Sequence, residues 1–210
     1  MHYYDTLSSD MKPDSSTLGK APAAGRPRDA RIDASILRAA AELLVEVGYS
    51  NVTMAAVAER AGTTKTALYR RWSSKAELVH EAAFPATPTA LVAPSSSFAD
   101  DVRAMVEATR DVFTTPVVRA ALPGLVADMA SDSDLNARVM QRFAGLFAAV
   151  GDRVRRAIDE GEARPVVDPD RLVEVIGGAT MLRLLLQPGE ELGDEWVAQT
   201  AGIVVNGVAA

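Results

Sequence analysis

The sequence predicts an all-α protein of about nine helices in two parts. Apolar residues recur at helical spacing over most of the chain, and the alternation that is typical of strands is not convincing in any segment. Glycine and proline residues interrupt this pattern where helices would end. The Pro- and Ser-rich stretch PATPTALVAPSS, residues 85–96, separates shorter helices from longer ones. We therefore expect one domain over residues 31–84 and a second over residues 97–210.

Four helices are expected in the first domain. Their apolar positions fall three or four residues apart, and three of them are followed by a residue that stops a helix. The predicted helices cover residues 36–47, 53–61, 64–72 and 74–84, and the stops are Gly48, Gly62 and Pro85.

Five longer helices are expected in the second domain. Each begins at a Ser, Thr or Asp that can cap it, and two have Pro at the first helical position. The expected starts are Ser97, Thr115, Asp132, Asp168 and about Asp194, with Gly161 after the third helix and Pro188 after the fourth.

Composition argues against several classes of protein. The 210 residues include no Cys and only two His, which are far apart, so disulfides, Cys-based zinc sites, thiol nucleophiles and His clusters are not expected. No cofactor or metal is predicted. The chain has no apolar run long enough to span a membrane, and its start, MHYYDTLSSDMKPDSS, lacks the apolar core of a signal peptide. A cytoplasmic protein is expected.

Charge is unevenly distributed, although the formal net charge is -6. Residues 20–80 carry ten bases and six acids, whereas residues 81–210 carry eleven bases and nineteen acids. A basic segment attached to an acidic body is typical of a binding module on a separate scaffold.

Residues 51–78 contain the functional motif. Two short helices separated by a Gly-containing turn suit a helix-turn-helix. Leu68 and Trp72 are predicted to face the core. The outer face is then left with a hydrogen-bonding, positively charged and aromatic surface, made of Lys65, Thr66, Tyr69 and Arg70.

This motif resembles that of the tetracycline-repressor (TetR/AcrR-type) family of bacterial transcriptional regulators. The family pattern Ser/Thr-x-Gly-x-x-Tyr-x-His/Tyr-Phe followed by Ser/Asn-Lys-x-x-Leu is matched here by TKTALYRRW at 64–72 and SKAEL at 74–78. Thr66, Arg71 and Trp72 depart from it. Trp72 keeps the core role, whereas Thr66 and Arg71 are expected where side chains can touch DNA. The resemblance is specific over residues 31–84.

The resemblance implies binding to double-stranded operator DNA by the helix at residues 64–71, placed in the major groove. Base-edge candidates are Lys65, Thr66 and Arg70, and phosphate candidates are Thr53, Thr64, Tyr69 and Lys75. The arm at residues 1–30 either enters the minor groove through its basic residues or is a disordered tail.

The resemblance also implies a homodimer that reads a pseudo-palindrome, with the last two helices forming a four-helix interface. The interface candidates are Leu172, Ile176, Ala179, Leu182, Trp196, Thr200, Ile203, Val204 and Gly207. Arg183 is a charge within this apolar run, and it either pairs across the interface, reaches a ligand or snorkels to solvent.

The resemblance further implies that the second domain holds a small-molecule effector, expected to be hydrophobic or aromatic. Release of the DNA on binding is the default expectation, and activation or co-repression differ from it only in which conformation the ligand prefers. Large, adaptable apolar residues on the middle helices are the pocket candidates, although such residues are also ordinary core. They are Met105, Phe113, Leu122, Met129, Phe143 and Phe147.

The alternative interpretation is an all-helical ligand-binding or interaction protein, or an enzyme, without sequence-specific DNA binding. No phosphate loop, Gly-x-Ser-x-Gly motif or metal-ligand spacing favours an enzyme. An interaction protein without DNA would not need its positive charge concentrated at residues 20–80. The sequence therefore predicts a DNA-binding repressor rather than an enzyme.

Overall fold

The computed structural model describes residues 30–85, 97–187, 189 and 191–208. Over these residues the chain forms nine helices and no strand, so the predicted all-α class is confirmed. The arm before residue 30 and residues 86–96 lie outside the described residues. The helices are α1 (Ala30–Asn51), α2 (Met54–Arg60), α3 (Lys65–Tyr69), α4 (Lys75–Ala83), α5 (Phe98–Thr114), α6 (Pro116–Ser131), α7 (Ser133–Asp159), α8 (Pro169–Leu186) and α9 (Asp194–Val208).

Side-chain caps begin the three short helices. The hydroxyl oxygens of Thr53, Thr64 and Ser74 each accept a hydrogen bond from the backbone N–H three residues later, at 3.1–3.2 Å. Each bond satisfies a donor that has no partner within the first turn. The predicted starts of α2, α3 and α4 are therefore confirmed.

Gly48 interrupts α1 as the sequence predicts. Its φ of 73° and ψ of 164° are not helical, although helical residues resume and continue to Asn51. A positive φ is accessible to glycine at little cost because it has no Cβ. The break turns the chain so that Tyr49, the next residue, is buried with 9% of its surface exposed.

Two hydrophobic cores organise the molecule, and the first crosses the predicted domain boundary. It contains buried residues of α1 to α4 together with Val118, Ala121 and Leu125 of α6 and Leu135 and Val139 of α7. The second core joins α5, the later part of α7, α8 and α9. The four N-terminal helices therefore share their core with α6 and the start of α7.

Tyr49 is the centre of the contact between α1 and α6. Its ring packs on Gly124, where a Cβ would overlap the ring, and its hydroxyl donates a hydrogen bond to Asp128. The Nζ of Lys75 lies 4.2 Å from the centre of the same ring and donates to the Tyr49 carbonyl at 3.2 Å. Burial and the bond to Asp128 raise the pKa of Tyr49. One side chain thus holds α1, α4 and α6 together.

A buried ion pair between Arg153 and Asp101 fixes α5 against α7. Arg153 also donates to Glu162 at 3.1 Å, and Glu162 accepts from the backbone N–H of Phe98 at 2.9 Å. These bonds pair a buried charge that would otherwise be costly.

We predict that Gly124→Ala lowers the free energy of unfolding by about 1–3 kcal/mol, because the added methyl group must displace the Tyr49 ring from a packed core. Urea unfolding followed by circular dichroism measures the change. The matched control is Gly177→Ala, where a Cβ meets nothing within 4 Å. Equal stability of Gly124→Ala and the wild type would show that Tyr49 does not pack as described.

Candidate nucleic-acid interface and ligand cavity

The turn between α2 and α3 sets the direction of α3. Gly62, with a φ of 65°, donates its N–H to the Glu59 carbonyl at 3.1 Å, and the next N–H bonds to Ala58 at 2.9 Å. On α3 itself Leu68 is fully buried, and beyond it Trp72 is 3% exposed. These two residues anchor the inner side of α3, as predicted, and the helix must turn its other side to solvent.

The outer side of α3 carries the predicted contact residues. Lys65, Thr66, Tyr69 and Arg70 are all exposed, and Tyr69 leaves 55% of its surface accessible. Thr53 and Thr64 are exposed at the helix starts, where each accepts a backbone hydrogen bond. The structure therefore gathers these six predicted residues around the starts of α2 and α3 and the outer side of α3.

Two basic residues beside α3 have partners within the protein. Lys75 is half-buried and bonds to the Tyr49 carbonyl, so its predicted contact with phosphate stays a prediction. The side chain of Arg71 is only 7% exposed, pairs with Asp33 in the first turn of α1 and donates to the Ala67 carbonyl at 3.0 Å. The expectation that Arg71 can touch DNA is therefore wrong, because Asp33 holds its side chain against α1.

Glu81 connects the end of the helix-turn-helix to α7. Its Oε2 accepts a hydrogen bond from Trp72 Nε1 at 2.9 Å and another from Arg142 at 2.9 Å. Arg142 precedes Phe143, which lines the cavity described next. Sequence reasoning missed this connection, because three separate segments form it.

A cavity of about 340 Å³ lies between α5, α7 and α8, with Phe84 at the end of α4 in its wall. Its lining is almost entirely apolar and includes Met105, Phe113, Phe143 and Phe147. Four of the six predicted pocket residues therefore meet in one place. This volume lies within the range of sites that bind small molecules.

Leu122 and Met129 do not line this cavity, so their prediction as pocket residues is wrong. Leu122 borders a separate space of about 190 Å³ with Arg119, Pro123 and residues of α8. Met129 packs against the first core. Both lie on α6, which contributes no residue to the cavity lining: Met129 packs on the first core, and Leu122 lies beside the end of α8.

His80 lies buried behind the cavity wall. Its ring centre is 5.2 Å from that of Phe84 and 5.6 Å from that of Phe143. Burial and, to a smaller extent, the positive charge of Arg142 lower the pKa of His80 to about 4, against the opposing effect of Glu81. Among the described residues its Nε2 has no hydrogen-bond partner. At neutral pH the imidazole is therefore uncharged and acts as part of an aromatic cluster.

The predicted interface residues divide between the core and the surface. Leu172, Ile176 and Val204 are 3–6% exposed and belong to the second core, so their prediction as interface residues is wrong. Because α8 is apolar on most sides, its spacing could not reveal which side turns inward. Leu182, Ile203 and Gly207 are exposed, while Ala179, Trp196, Thr200 and Arg183 are half-buried.

The apolar surface that α8 and α9 expose includes residues that were not predicted. Val175 is 53% exposed, Leu185 39% and Leu186 71%, beside Leu182 at 58% on the same helix. On α9, Ile203 is 76% exposed. Such a concentration of exposed aliphatic side chains is typical of interaction surfaces.

The described part of the chain contains neither a metal-ligand group nor a membrane-spanning helix. In this part of the chain no three His, Cys, Asp or Glu side chains are grouped as metal ligands would be. No helix there has the length and apolar character needed to cross a membrane.

Comparison with known proteins identifies the class. Residues 36–82 match the sequence model described as bacterial regulatory proteins, tetR family, and residues 92–204 match that of the tetracyclin repressor-like C-terminal domain. The first match covers the helix-turn-helix, and the second covers α5 to α8 and most of α9. The chain belongs to the tetracycline-repressor family of transcriptional regulators, whose members are DNA-binding proteins and not enzymes.

Individual relatives are similar in sequence to this protein over most of its length. It is 30% identical over 190 residues to the HTH-type transcriptional regulator YdeS of Bacillus subtilis, covering 89% of this chain and 94% of YdeS. It is 29% identical over 176 residues to the DNA-binding transcriptional repressor TetR of Mycobacteroides abscessus, covering 79% and 87% of the two chains. The crystal structure of the TetR family regulator SCO0332 is 33% identical, with a TM-score of 0.65, and the match covers 86% of this chain and all of that one.

We predict that His80 makes folding less favourable in acid. The pKa of His80 is about 4 in the folded protein and near 6.5 in the unfolded chain. Between these values the unfolded chain binds a proton that the folded protein does not, so the free energy of unfolding falls as pH falls from 6.5 to 4. His80→Gln should reduce the pH dependence of the free energy of unfolding, measured by urea unfolding, by an amount that corresponds to at most one bound proton. Equal slopes for the two proteins would contradict the burial of a neutral imidazole.

Proposed function

We propose that the protein is a repressor that binds a pseudo-palindromic operator as a homodimer and is released by a small hydrophobic or aromatic effector. The outer side of α3 supports DNA binding most directly. There the exposed side chains lie opposite buried Leu68, and they are Lys65, Thr66, Tyr69 and Arg70. A helix with one buried and one polar, basic side suits the major groove. Family membership and a relative named as a repressor agree with this function.

The proposed docking divides the residues by role. Lys65, Thr66 and Arg70 contact base edges from α3, because Lys and Arg donate to guanine and a Thr hydroxyl suits several bases. Thr53, Thr64, Tyr69 and Lys75 contact phosphates, which fix the position of the protein on the duplex. For Lys75 this role requires that its Nζ leave or share the Tyr49 carbonyl.

The proposed dimer joins α8 and α9 of two subunits through their exposed aliphatic side chains. Leu182, Leu186 and Ile203 would lose their contact with water in a four-helix interface. An isologous interface gives the dimer the two-fold symmetry of a pseudo-palindrome, with half-sites about 34–36 Å apart or a multiple of that spacing.

The proposed effector site is the cavity between α5, α7 and α8. A ligand there would touch Phe84, the residue that ends α4, and Phe143, which contacts His80 of α4. Displacement of α7 would also act on Glu81 through Arg142. A hundredfold loss of operator affinity requires a preference of about 2.7 kcal/mol for the state that does not bind DNA.

We predict that Lys65→Ala weakens binding to the promoter upstream of the gene that encodes this protein by about 1–3 kcal/mol. The same change should relax the preference at one base pair. Tyr69→Ala should instead weaken binding evenly across sequences, because it removes a phosphate contact. Electrophoretic mobility shift or fluorescence anisotropy with a set of single-base operator variants measures both effects.

The matched control for these variants is Arg138→Ala, which removes a positive charge from an exposed position on α7, away from α3. It should leave operator affinity within about twofold of the wild type, since screened charges at a distance contribute little. Unchanged affinity in both Lys65→Ala and Tyr69→Ala would mean that α3 does not enter the groove.

We predict that Leu182→Glu converts the dimer to a monomer, because a charge in an apolar interface loses its hydration without gaining a partner. Light scattering at micromolar protein concentration reports the mass. Operator affinity should fall because the dimer is lost. Val45→Glu is the control, since Val45 on α1 is 52% exposed and lies away from α8 and α9. A Leu182→Glu protein that remains a dimer would contradict the proposed interface.

A further inference from the structure

The polar groups that line the cavity have an unusual common property, since each of them accepts hydrogen bonds. Of the lining residues that the structure describes, only Thr109 and Glu174 carry polar side chains. No Lys, Arg, His, Asn, Gln, Trp or Tyr is among them. His80 and Arg142 stand close by, but neither lines the cavity.

Thr109 is an acceptor towards the cavity because its proton is already used. Its hydroxyl lies 2.7 Å from the Met105 carbonyl, one turn earlier on α5. A carbonyl oxygen can only accept, so the Thr109 hydroxyl donates in this bond and keeps its lone pairs for another partner. A ligand can therefore use this group only by donating a hydrogen bond to its oxygen.

Glu174 adds a negative charge at the edge of the cavity. Its side chain is 57% exposed and pairs with Arg171, which is 71% exposed and does not line the cavity. A carboxylate accepts hydrogen bonds and repels another anion. Arg171, the cation that pairs with Glu174, lies outside the lining, which itself contains no Lys, Arg or His.

The backbone N–H groups of the lining do not provide free hydrogen-bond donors either. Gly177 and Gly178, which line the cavity without a side chain, lie inside α8, where backbone N–H groups bond to carbonyls four residues earlier. The N–H of Phe84 bonds to the His80 carbonyl at 2.9 Å. A ligand acceptor placed in this cavity would find no partner in the described lining.

From this arrangement, and resting on the proposed effector site, we infer that the effector is an uncharged apolar molecule that donates a hydrogen bond, such as a phenol or an alcohol. Its hydroxyl donates to Thr109, and its apolar body packs against the Met and Phe side chains. A molecule that only accepts hydrogen bonds leaves its oxygen desolvated without a partner. A carboxylate would lose its hydration and face Glu174 as well.

Three probes with one aromatic frame test this inference on the full-length protein at neutral pH. 2-Naphthol donates a hydrogen bond, 2-methoxynaphthalene only accepts, and 2-naphthoate is an anion. Isothermal titration calorimetry, with probe fluorescence as a second readout, gives the three dissociation constants. We expect 2-naphthol to bind about tenfold more tightly than 2-methoxynaphthalene and about a hundredfold more tightly than 2-naphthoate.

Thr109→Val assigns the preference to the proposed acceptor. The variant keeps the shape of the side chain but removes the lone pairs, so 2-naphthol and 2-methoxynaphthalene should bind within about twofold of each other. Thr180→Val is the matched control, because Thr180 makes the same bond to a carbonyl one turn earlier, 2.9 Å long, and does not line the cavity. It should preserve the tenfold preference.

Glu174→Gln tests the exclusion of anions. The amide removes the charge and adds a donor, so 2-naphthoate should bind about tenfold more tightly than to the wild type, while 2-naphthol changes little. Asp152→Asn is the control, since Asp152 forms an exposed pair with Arg155 on α7 but does not line the cavity. It should leave the affinity for all three probes unchanged.

The outcomes separate this inference from the function on which it rests. Equal binding of 2-naphthol and 2-methoxynaphthalene to the wild type, or tightest binding of 2-naphthoate, overturns the inference and leaves an effector cavity in place. A tenfold preference that survives in Thr109→Val overturns the assigned acceptor. Binding of none of the three probes overturns the cavity as a site for aromatic molecules, and the proposed effector function fails with it.

Discussion

The burial of Tyr49 between α1, α4 and α6 is the contact on which the arrangement of the molecule depends. The break at Gly48 turns this side chain inward, Gly124 leaves room for its ring, and Asp128 and Lys75 bind its two oxygens. A single side chain thereby joins the helix-turn-helix to the scaffold. Because buried packing has few alternative arrangements, a movement of α6 or α4 must change the position of α1 as well.

The short helices need this shared core. With seven and five residues, α2 and α3 are far below the length at which an isolated helix is stable in water. Caps at their first turns and the burial of Leu68 and Trp72 supply the stability that helix propensity alone does not give these segments. Trp72 in turn bonds to Glu81, which also binds Arg142 beside the cavity wall. The direction of α3 and the packing of α7 around the cavity are therefore connected through named contacts.

Local features were predictable from the sequence, and tertiary ones were not. The caps at Thr53 and Thr64 depend on neighbouring residues, so the spacing predicted where α2 and α3 begin. The ion pair that withdraws Arg71 depends on Asp33, 38 residues away, and no periodicity reveals it. On α8, which is apolar on most sides, the inward and outward residues could not be told apart, and Ile176 was misplaced for that reason. The family resemblance predicted the function, whereas the chemistry of the cavity required the structure.

We propose that occupation of the cavity and binding to the operator exclude each other. The most direct measurement is the dissociation constant for the operator at increasing 2-naphthol, for the wild type and for Gly177→Leu, whose side chain would extend into the open space of the cavity. We expect saturating 2-naphthol to weaken operator binding by the wild type tenfold or more and to leave operator binding by Gly177→Leu unaffected. Operator affinity of the wild type that is unchanged when calorimetry shows the cavity to be saturated would contradict it.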